Sequence, residues 1–112
     1  MNPPQLNRRM VLEAQTHQSD GSGGFASIWE PLGQIWVALK PGSGRETDLA
    51  SATISRVPFK ITTRAAPVGS LARPKAGQRM KEGARQFQIT AVADHPDYPQ
   101  YLICSAIEEV AP

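Results

Sequence analysis

The feature that most constrains this chain is a hydrophobic alternation with a period of two residues, clearest over residues 56–64. Val57, Phe59 and Ile61 alternate there with polar or charged residues. Successive side chains of a β-strand point to opposite faces, so this pattern predicts a half-buried strand. Pro58 lies inside the segment and has no N–H to donate. We therefore expect an edge strand, or a strand whose free side is at Pro58.

Further strands are predicted along the chain at 8–16, 25–29, 34–40, 78–81, 85–93 and 101–110. The side chains expected on inward faces include Met10, Leu12, Ala14, Ile35, Val37, Leu39, Phe87, Ile89 and Ala91. Pro31 and Gly33 are expected to end the strand at 25–29, because both residues interrupt regular structure. Residues 101–110 are apolar on both faces, which is typical of a central strand.

These segments predict an all-β domain, a small antiparallel β-barrel or sandwich of six to seven short strands. Ten prolines and nine glycines in 112 residues favour short elements separated by turns. Residues 1–7 are expected to form a flexible arm, and residues 8–112 a single domain. Within that domain, 42–55 does not alternate and is predicted to be a long projecting loop after the third strand, with room for one short helix. Residues 65–78 are predicted to be a Pro/Ala-rich loop that, like the arm, becomes ordered on assembly.

The charge distribution is more informative than the net charge of +2. Six basic residues and one acid lie between Arg64 and Arg85, whereas four acids and no basic residue follow Arg85. The simplest interpretation is a solvated surface. The alternatives are complementary patches that meet between copies, or a basic patch that faces DNA. The candidate contact residues are Arg64, Arg73, Lys75, Arg79, Lys81, Glu108 and Glu109.

Little in the sequence predicts chemistry. His17 and His95 are far apart in the sequence, and Asp94–Asp97 is better interpreted as a turn, so no metal site and no cofactor are expected. Cys104 lies in an apolar segment and is expected to be a buried hydrophobic residue rather than a nucleophile. Gly42-Ser43-Gly44-Arg45 lacks the Lys-Ser/Thr of a phosphate-binding loop. We expect no enzyme activity, and no run of 18 apolar residues predicts a membrane span.

Trp29 and Trp36 lie on adjacent predicted strands. Packing in the core is the first interpretation for both. The second is an anchor at an interface, because tryptophan often dominates contact energies. Stacking on single-stranded nucleic acid is the weakest alternative.

The order of several short motifs resembles the phage head-tail joining proteins, also called head-closure or stopper proteins, of tailed phages and phage-like particles such as gene transfer agents. The motifs are Leu6-Asn7-Arg8-Arg9-Met10-Val11-Leu12-Glu13, Asp20-Gly21-Ser22-Gly23-Gly24, Trp29, the run from Ile35 to Glu46, Phe59-Lys60-Ile61-Thr62-Thr63-Arg64, Phe87-Gln88-Ile89-Thr90-Ala91-Val92, and the run from Tyr101 to Glu109. The resemblance covers about residues 6–109. The connection at 65–78 is longer than is usual in the family.

The resemblance implies a structural neck component that forms a ring of six or twelve copies. Such a ring lies between portal or adaptor proteins and the tail terminator or tail tube, with double-stranded DNA passing through its lumen. It implies a location in the particle neck after assembly in the bacterial host cytoplasm. By position, the loop that faces the lumen would include Gly42, Ser43, Gly44, Arg45, Glu46, Thr47 and Asp48.

A different class of function also stays open at this point, a monomeric small barrel that binds nucleic acid. The basic stretch at 64–85 supports it. The small net charge and only seven aromatic residues count against it.

Overall fold

The alternating segments form strands, as predicted. The computed structural model describes residues 3–42 and 55–110, and the strands in that part of the chain are β1 (Arg8–Ser19), β2 (Phe25–Pro41), β3 (Ser55–Arg64), β4 (Arg79–Glu82), β5 (Arg85–Asp94) and β6 (Tyr101–Val110). All neighbouring strands are antiparallel, and the sheet closes in the order β1-β2-β3-β6-β5-β4, with β4 paired to β1. The all-β prediction is confirmed. Among the described residues, no helix is long and apolar enough to cross a membrane.

The core lies inside the closed sheet and is built from the inward face of each strand. Its buried members are Met10, Leu12, Val37, Ile61, Met80, Phe87, Ile89, Cys104 and Ala106. Phe59 packs edge-on against Phe87, with ring centroids 5.3 Å apart. β6 pairs with both β3 and β5, and its residues 101–108 are buried or half-buried on both faces, as its apolar pattern predicted.

The prediction that Pro31 and Gly33 end a strand was wrong, because one continuous strand, β2, spans both. Leu12 pairs with Gly33 but Glu13 pairs with Pro31, so Leu32 is the extra residue of a β-bulge. Gly33 has φ +147°, which glycine adopts without a Cβ penalty. Hydrogen-bonded and non-hydrogen-bonded residue pairs alternate along two antiparallel strands. Counted from the Asp20 N to Gly24 O bond, the Glu13–Pro31 pair is a non-hydrogen-bonded one, so the Pro31 nitrogen points away from β1. No ladder hydrogen bond to β1 is therefore lost at the proline.

A second bulge corrects the predicted inward face of β5. Ile89 pairs with Ala106 and Ala91 pairs with Ser105, so Thr90 is the extra residue. Its hydroxyl donates to the Ser105 carbonyl over 3.1 Å. The bulge reverses the alternation, and Ala91 is exposed while Val92 packs against the core.

β3 pairs on both sides, with β2 and β6, and is not an edge strand. The second alternative predicted for this strand, a free side at Pro58, is the one observed. The register with β2 ends at the Pro41–Phe59 pair, and beyond it Gly42 N donates to Pro58 O over 2.8 Å. The missing N–H of Pro58 thus falls at the margin of the β2–β3 ladder.

The antiparallel order places connections alternately at two ends of the barrel. The Gly42 end carries the β2–β3 connection, the β4–β5 turn and the end of β6. The opposite end carries the β1–β2 turn, residues 65–78 and residues 95–100. We call it the arm end, after the two-stranded arm of residues 13–31 that projects there and is distinct from the N-terminal segment 1–7. Because β3 and β4 are not neighbours, residues 65–78 cross the barrel at the arm end. Pro74 in this crossing is fully buried, and turns are closed by Ser70 N to Pro67 O and Arg73 N to Ser70 O bonds.

Candidate interaction surfaces

The Gly42 end is bordered by three ion pairs between strands. Arg85 Nε and Nη2 donate to the two carboxylate oxygens of Glu108 over 2.7 and 2.9 Å. Arg8 binds both oxygens of Glu82, and Nε contributes a bond of 2.8 Å. Arg56 and Glu109 make a looser pair at 3.6 Å, and both side chains are about half exposed. Two-point Arg–carboxylate pairs hold neighbouring strands in a defined geometry.

The tighter pairs change the acid–base properties of their members. Hydrogen bonding to Arg8 holds the pKa of Glu82 below its ordinary value of 4.5. Hydrogen bonding to Glu108 raises the pKa of Arg85. Both groups are thus held in their charged forms, and the rim of the barrel stays charged at neutral pH.

The predicted lumen loop begins at this end. Gly42 is the last described residue before it, and a Cβ at Gly42 would meet three atoms of Pro58 at 3.2 Å. Glycine therefore fits the close approach of the two chains where the loop leaves the barrel. The other predicted loop residues lie outside the described part of the chain: Ser43, Gly44, Arg45, Glu46, Thr47 and Asp48.

The predicted contact residues do not form one patch. Arg64 is exposed with its guanidinium 5.9 Å from the Tyr101 ring, and Arg73 donates to the Ala66 carbonyl over 2.9 Å. Lys75 is exposed in the crossing, and Lys81 is half-buried on β4. Glu108, Glu109 and Arg79 are already in ion pairs within the chain. The basic 64–85 stretch is therefore distributed over both ends of the barrel.

A projecting β-ribbon at the arm end was missed by the sequence interpretation. We call residues 13–31 the arm. Beyond Glu13, β1 pairs only with β2, and the first half of β2 pairs only with β1. Phe25, beside the turn at the tip, is 76% exposed. No local signal marks the arm in the sequence, because the bulge at Leu32 interrupts the alternation just beyond Pro31.

The base of the arm is fastened to the barrel by Arg79. Its Nε donates to Glu13 Oε1 over 2.6 Å, and its guanidinium lies 4.1 Å from the ring centroid of Trp29. Both charged side chains are well covered, with 14% and 13% of their surfaces exposed. The two contacts of Arg79 join β4 to β1 and to β2 at the point where the arm extends beyond the barrel.

An apolar groove lies on the side of β2 where β3 has separated from it. It has a volume of about 230 Å³, and its walls include Leu6, Ile35 and Trp36 on one side and Ala65, Ala66 and Ala72 on the other. Trp36 is 54% exposed, so its expected place in the core was wrong. It faces outward because Val37, the next residue, occupies the core. Trp29 is half-buried under Arg79, also on the outer surface.

Cationic side chains surround this groove, which we call the Trp36 groove. Arg64 is one of its lining residues, and the Arg9 guanidinium lies 5.9 Å from the Trp36 ring. Arg73 is tied to the carbonyl of Ala66, another lining residue. An apolar floor with a positive margin suits a protein segment that carries apolar and acidic side chains.

The polar residues at 94–98 form a turn, and Cys104 is buried in the core. His95 Nδ1 accepts hydrogen bonds from the Asp97 and Tyr98 N–H groups at 3.0 and 3.1 Å, which closes the predicted Asp94–Asp97 turn. Burial raises the pKa of the Cys104 thiol to about 12. Within residues 3–42 and 55–110, no three His, Cys, Asp or Glu side chains are placed to share a metal ion.

The fold and surfaces define a small closed barrel with a charged rim, a projecting arm and an exposed apolar groove, features typical of a protein that makes contacts with other proteins. The sequence matches the phage head completion protein family over residues 1–110, and the chain belongs to that family. The structure is similar to a chain from the virion of a native gene transfer agent particle. The TM-score is 0.84 and the sequence identity is 44%, with 98% of this chain and 100% of that chain covered. No curated protein matches the chain.

Proposed function

We propose that this protein is a structural component of the neck of a phage or phage-like particle, where it joins the head to the tail and helps to retain packaged DNA. The observation that carries the proposal is the likeness to a chain of a gene transfer agent virion over essentially the full length of both chains. Membership of the head completion family supports the same role. The proposed action is binding, without a chemical step.

The proposed assembly is a ring of six or twelve copies. Its proposed neighbours are portal or adaptor proteins on the head side and the tail terminator or tail tube on the tail side, with double-stranded DNA in the lumen. The separate surfaces at the two barrel ends support such a placement, since a neck protein must contact different partners above and below. The proposed route is assembly in the bacterial host cytoplasm.

The decisive experiment removes the gene from the producing cell and examines the particles by electron microscopy and DNA assay. We expect filled heads and tails that fail to join, with DNA lost from the heads, and rescue by the wild-type gene. Normal numbers of joined, DNA-filled particles would rule out the proposal.

A second experiment addresses the loop that begins after Gly42. We propose that Arg45 and Glu46 face the channel or a neighbouring copy. In particles that carry Arg45→Ala, we expect joined heads and tails with reduced DNA retention, because an arginine can bind DNA phosphates or an acidic group. DNA retention equal to that of the wild type would show that Arg45 does not contribute to retention, and it would leave the proposed joining role intact.

A further inference from the structure

We infer that the tip of the arm of one copy docks in the Trp36 groove of a second copy. This contact rests on the proposed ring, and it specifies which surfaces of the chain would form it. Three independent features of the structure meet in it: an exposed apolar side chain, an unfilled apolar groove, and opposite charge on the two surfaces.

The arm presents a large apolar side chain to solvent. Phe25 pairs with Ser19 beside the turn and is 76% exposed. Asp20 closes that turn, with Oδ1 accepting from the N–H groups of Ser22 and Gly24 at 2.8 and 3.1 Å. The aromatic ring is therefore held on a defined turn, which lowers the conformational entropy lost on binding.

The Trp36 groove offers a place for such a ring. Its volume is about 230 Å³, and a cavity of about 150 Å³ is enough to hold benzene. A neighbouring depression shares Gln34, Ile35 and Ala72 with it and is also lined by Leu32, Gly33 and Leu71. The two depressions together offer space for residues that flank Phe25 as well as for its ring.

The charges on the two surfaces are complementary. The arm carries two exposed acids, Asp20 and Glu30, besides Glu13, which is paired with Arg79, and none of the 12 Lys and Arg residues of the chain lies within it. The Trp36 groove has Arg9, Arg64 and Arg73 at its margin and no acid among its lining residues. Such complementarity favours one orientation of approach and disfavours contact between two arms or two grooves.

The arm cannot fill the groove of its own chain. Phe25 and Trp36 lie on the same extended strand, 11 residues apart, and at about 3.3 Å per residue their separation is roughly 35 Å. The occupant must come from another molecule. A contact that joins two different surfaces of identical copies is heterologous, and it produces a ring when the rotation between successive copies closes on itself.

The test uses cysteine cross-linking within assembled particles. Phe25→Cys and Ala65→Cys are combined in one chain, and purified particles are treated with oxidant or a short bis-maleimide. The native Cys104 is fully buried and its pKa is raised to about 12, so it should stay unreactive in the folded chain. We expect a ladder of covalent dimers and higher oligomers, at least about tenfold more abundant than with either single variant.

The matched control pairs Phe25→Cys with Ala91→Cys. Ala91 is exposed on β5, which is not a neighbour of β2 in the sheet, and it should give no ladder. A ladder with Ala91 and not with Ala65 would overturn the inference. So would particles that contain the Phe25→Cys, Ala65→Cys chain but show no ladder, or cross-links from Phe25→Cys to a different protein. Absence of the wild-type chain from particles would instead defeat the proposed neck function.

Three further variants decide the matter if a cysteine chain does not enter particles. Phe25→Leu keeps an apolar anchor and should preserve incorporation within about twofold, whereas Phe25→Ser should reduce it about tenfold. Asp20→Asn keeps the turn acceptor and removes the charge, and it should weaken incorporation more at low salt than at high salt. Equal incorporation of the leucine and serine variants would overturn the inference.

Discussion

The barrel and the arm are both antiparallel sheet, but they are held together in different ways. In the barrel, each strand has neighbours on both sides and buries side chains such as Ile61 and Phe87 completely. In the arm beyond Glu13, two strands pair only with each other, and the largest apolar side chain at the tip faces solvent. An isolated two-stranded ribbon is only marginally stable in water. Stability is therefore a property of the barrel, and the residues of the arm are best explained by contacts with other molecules.

The two phenylalanines provide the largest expected difference between these regions. Phe87→Ala should lower the free energy of unfolding by about 3–5 kcal/mol, since it leaves a cavity against Phe59 in the core. Phe25→Ala should change it by less than about 0.5 kcal/mol, because the ring is already in water. Urea denaturation of both variants measures the difference. Similar losses would mean that the arm tip packs on its own barrel.

The junction between arm and barrel is the next point to test. Arg79→Ala removes the bond to Glu13 and the stacking on Trp29, and should cost about 2 kcal/mol because the pair is largely covered. Its control is Arg56→Ala, which breaks the exposed 3.6 Å pair with Glu109 and should cost less than about 0.5 kcal/mol. Thermal and urea unfolding compare the two. Equal costs would show that the Arg79 contact does not fasten the arm.

The bulge at the base of the arm gives a smaller expected effect. Gly33→Ala should cost about 1 kcal/mol, because φ +147° is unfavourable for alanine although the space around its Cβ is open. Amide hydrogen exchange should become faster in residues 13–31 while the amides of β6 keep their protection relative to global unfolding. Uniform acceleration over the whole chain would mean that arm and barrel open as one unit.

The smallest expected effect concerns the rim of the barrel and depends on pH. Arg8 lowers the pKa of Glu82 in the folded chain, so on acidification the unfolded chain takes up the proton first. The stabilisation is present above the unfolded pKa and is lost as pH falls through the folded one. The stability difference between wild type and Glu82→Gln should be full well above the ordinary glutamate pKa of 4.5 and should shrink as pH falls below it.

Much of the barrel follows from alternation alone. The inward residues of β1, β2 and β3 were predictable because burial on one face leaves a period of two in the sequence. The errors fall where an extra residue interrupts that period. Leu32 and Thr90 are each the unpaired residue of a bulge, and nothing local distinguishes a bulge from the end of a strand at Pro31 or from regular alternation at Ala91. The outcome depends on hydrogen bonds to residues far away in the chain.

The candidate contact surfaces were less predictable than the barrel. Counting charges selected Arg79 and Glu108 as contact residues, yet both are engaged by distant partners in the same chain, Glu13 and Arg85. The Trp36 groove brings together Leu6, Trp36, Ala65 and Ala72. These residues are neighbours only because β3 separates from β2 and the 65–78 crossing passes beside it.

The sequence by itself determined that this chain is an antiparallel β-domain with an apolar interior, and its motif order pointed to a head-tail joining family. Both follow from the spacing and order of residues along the chain, which do not depend on how the chain folds. Only the tertiary structure decided where the sheet closes, that β1 and β2 extend beyond the barrel as an arm, and which charges face solvent. Those features depend on strand register and on which distant residues meet, and register is set by the packing of the whole barrel.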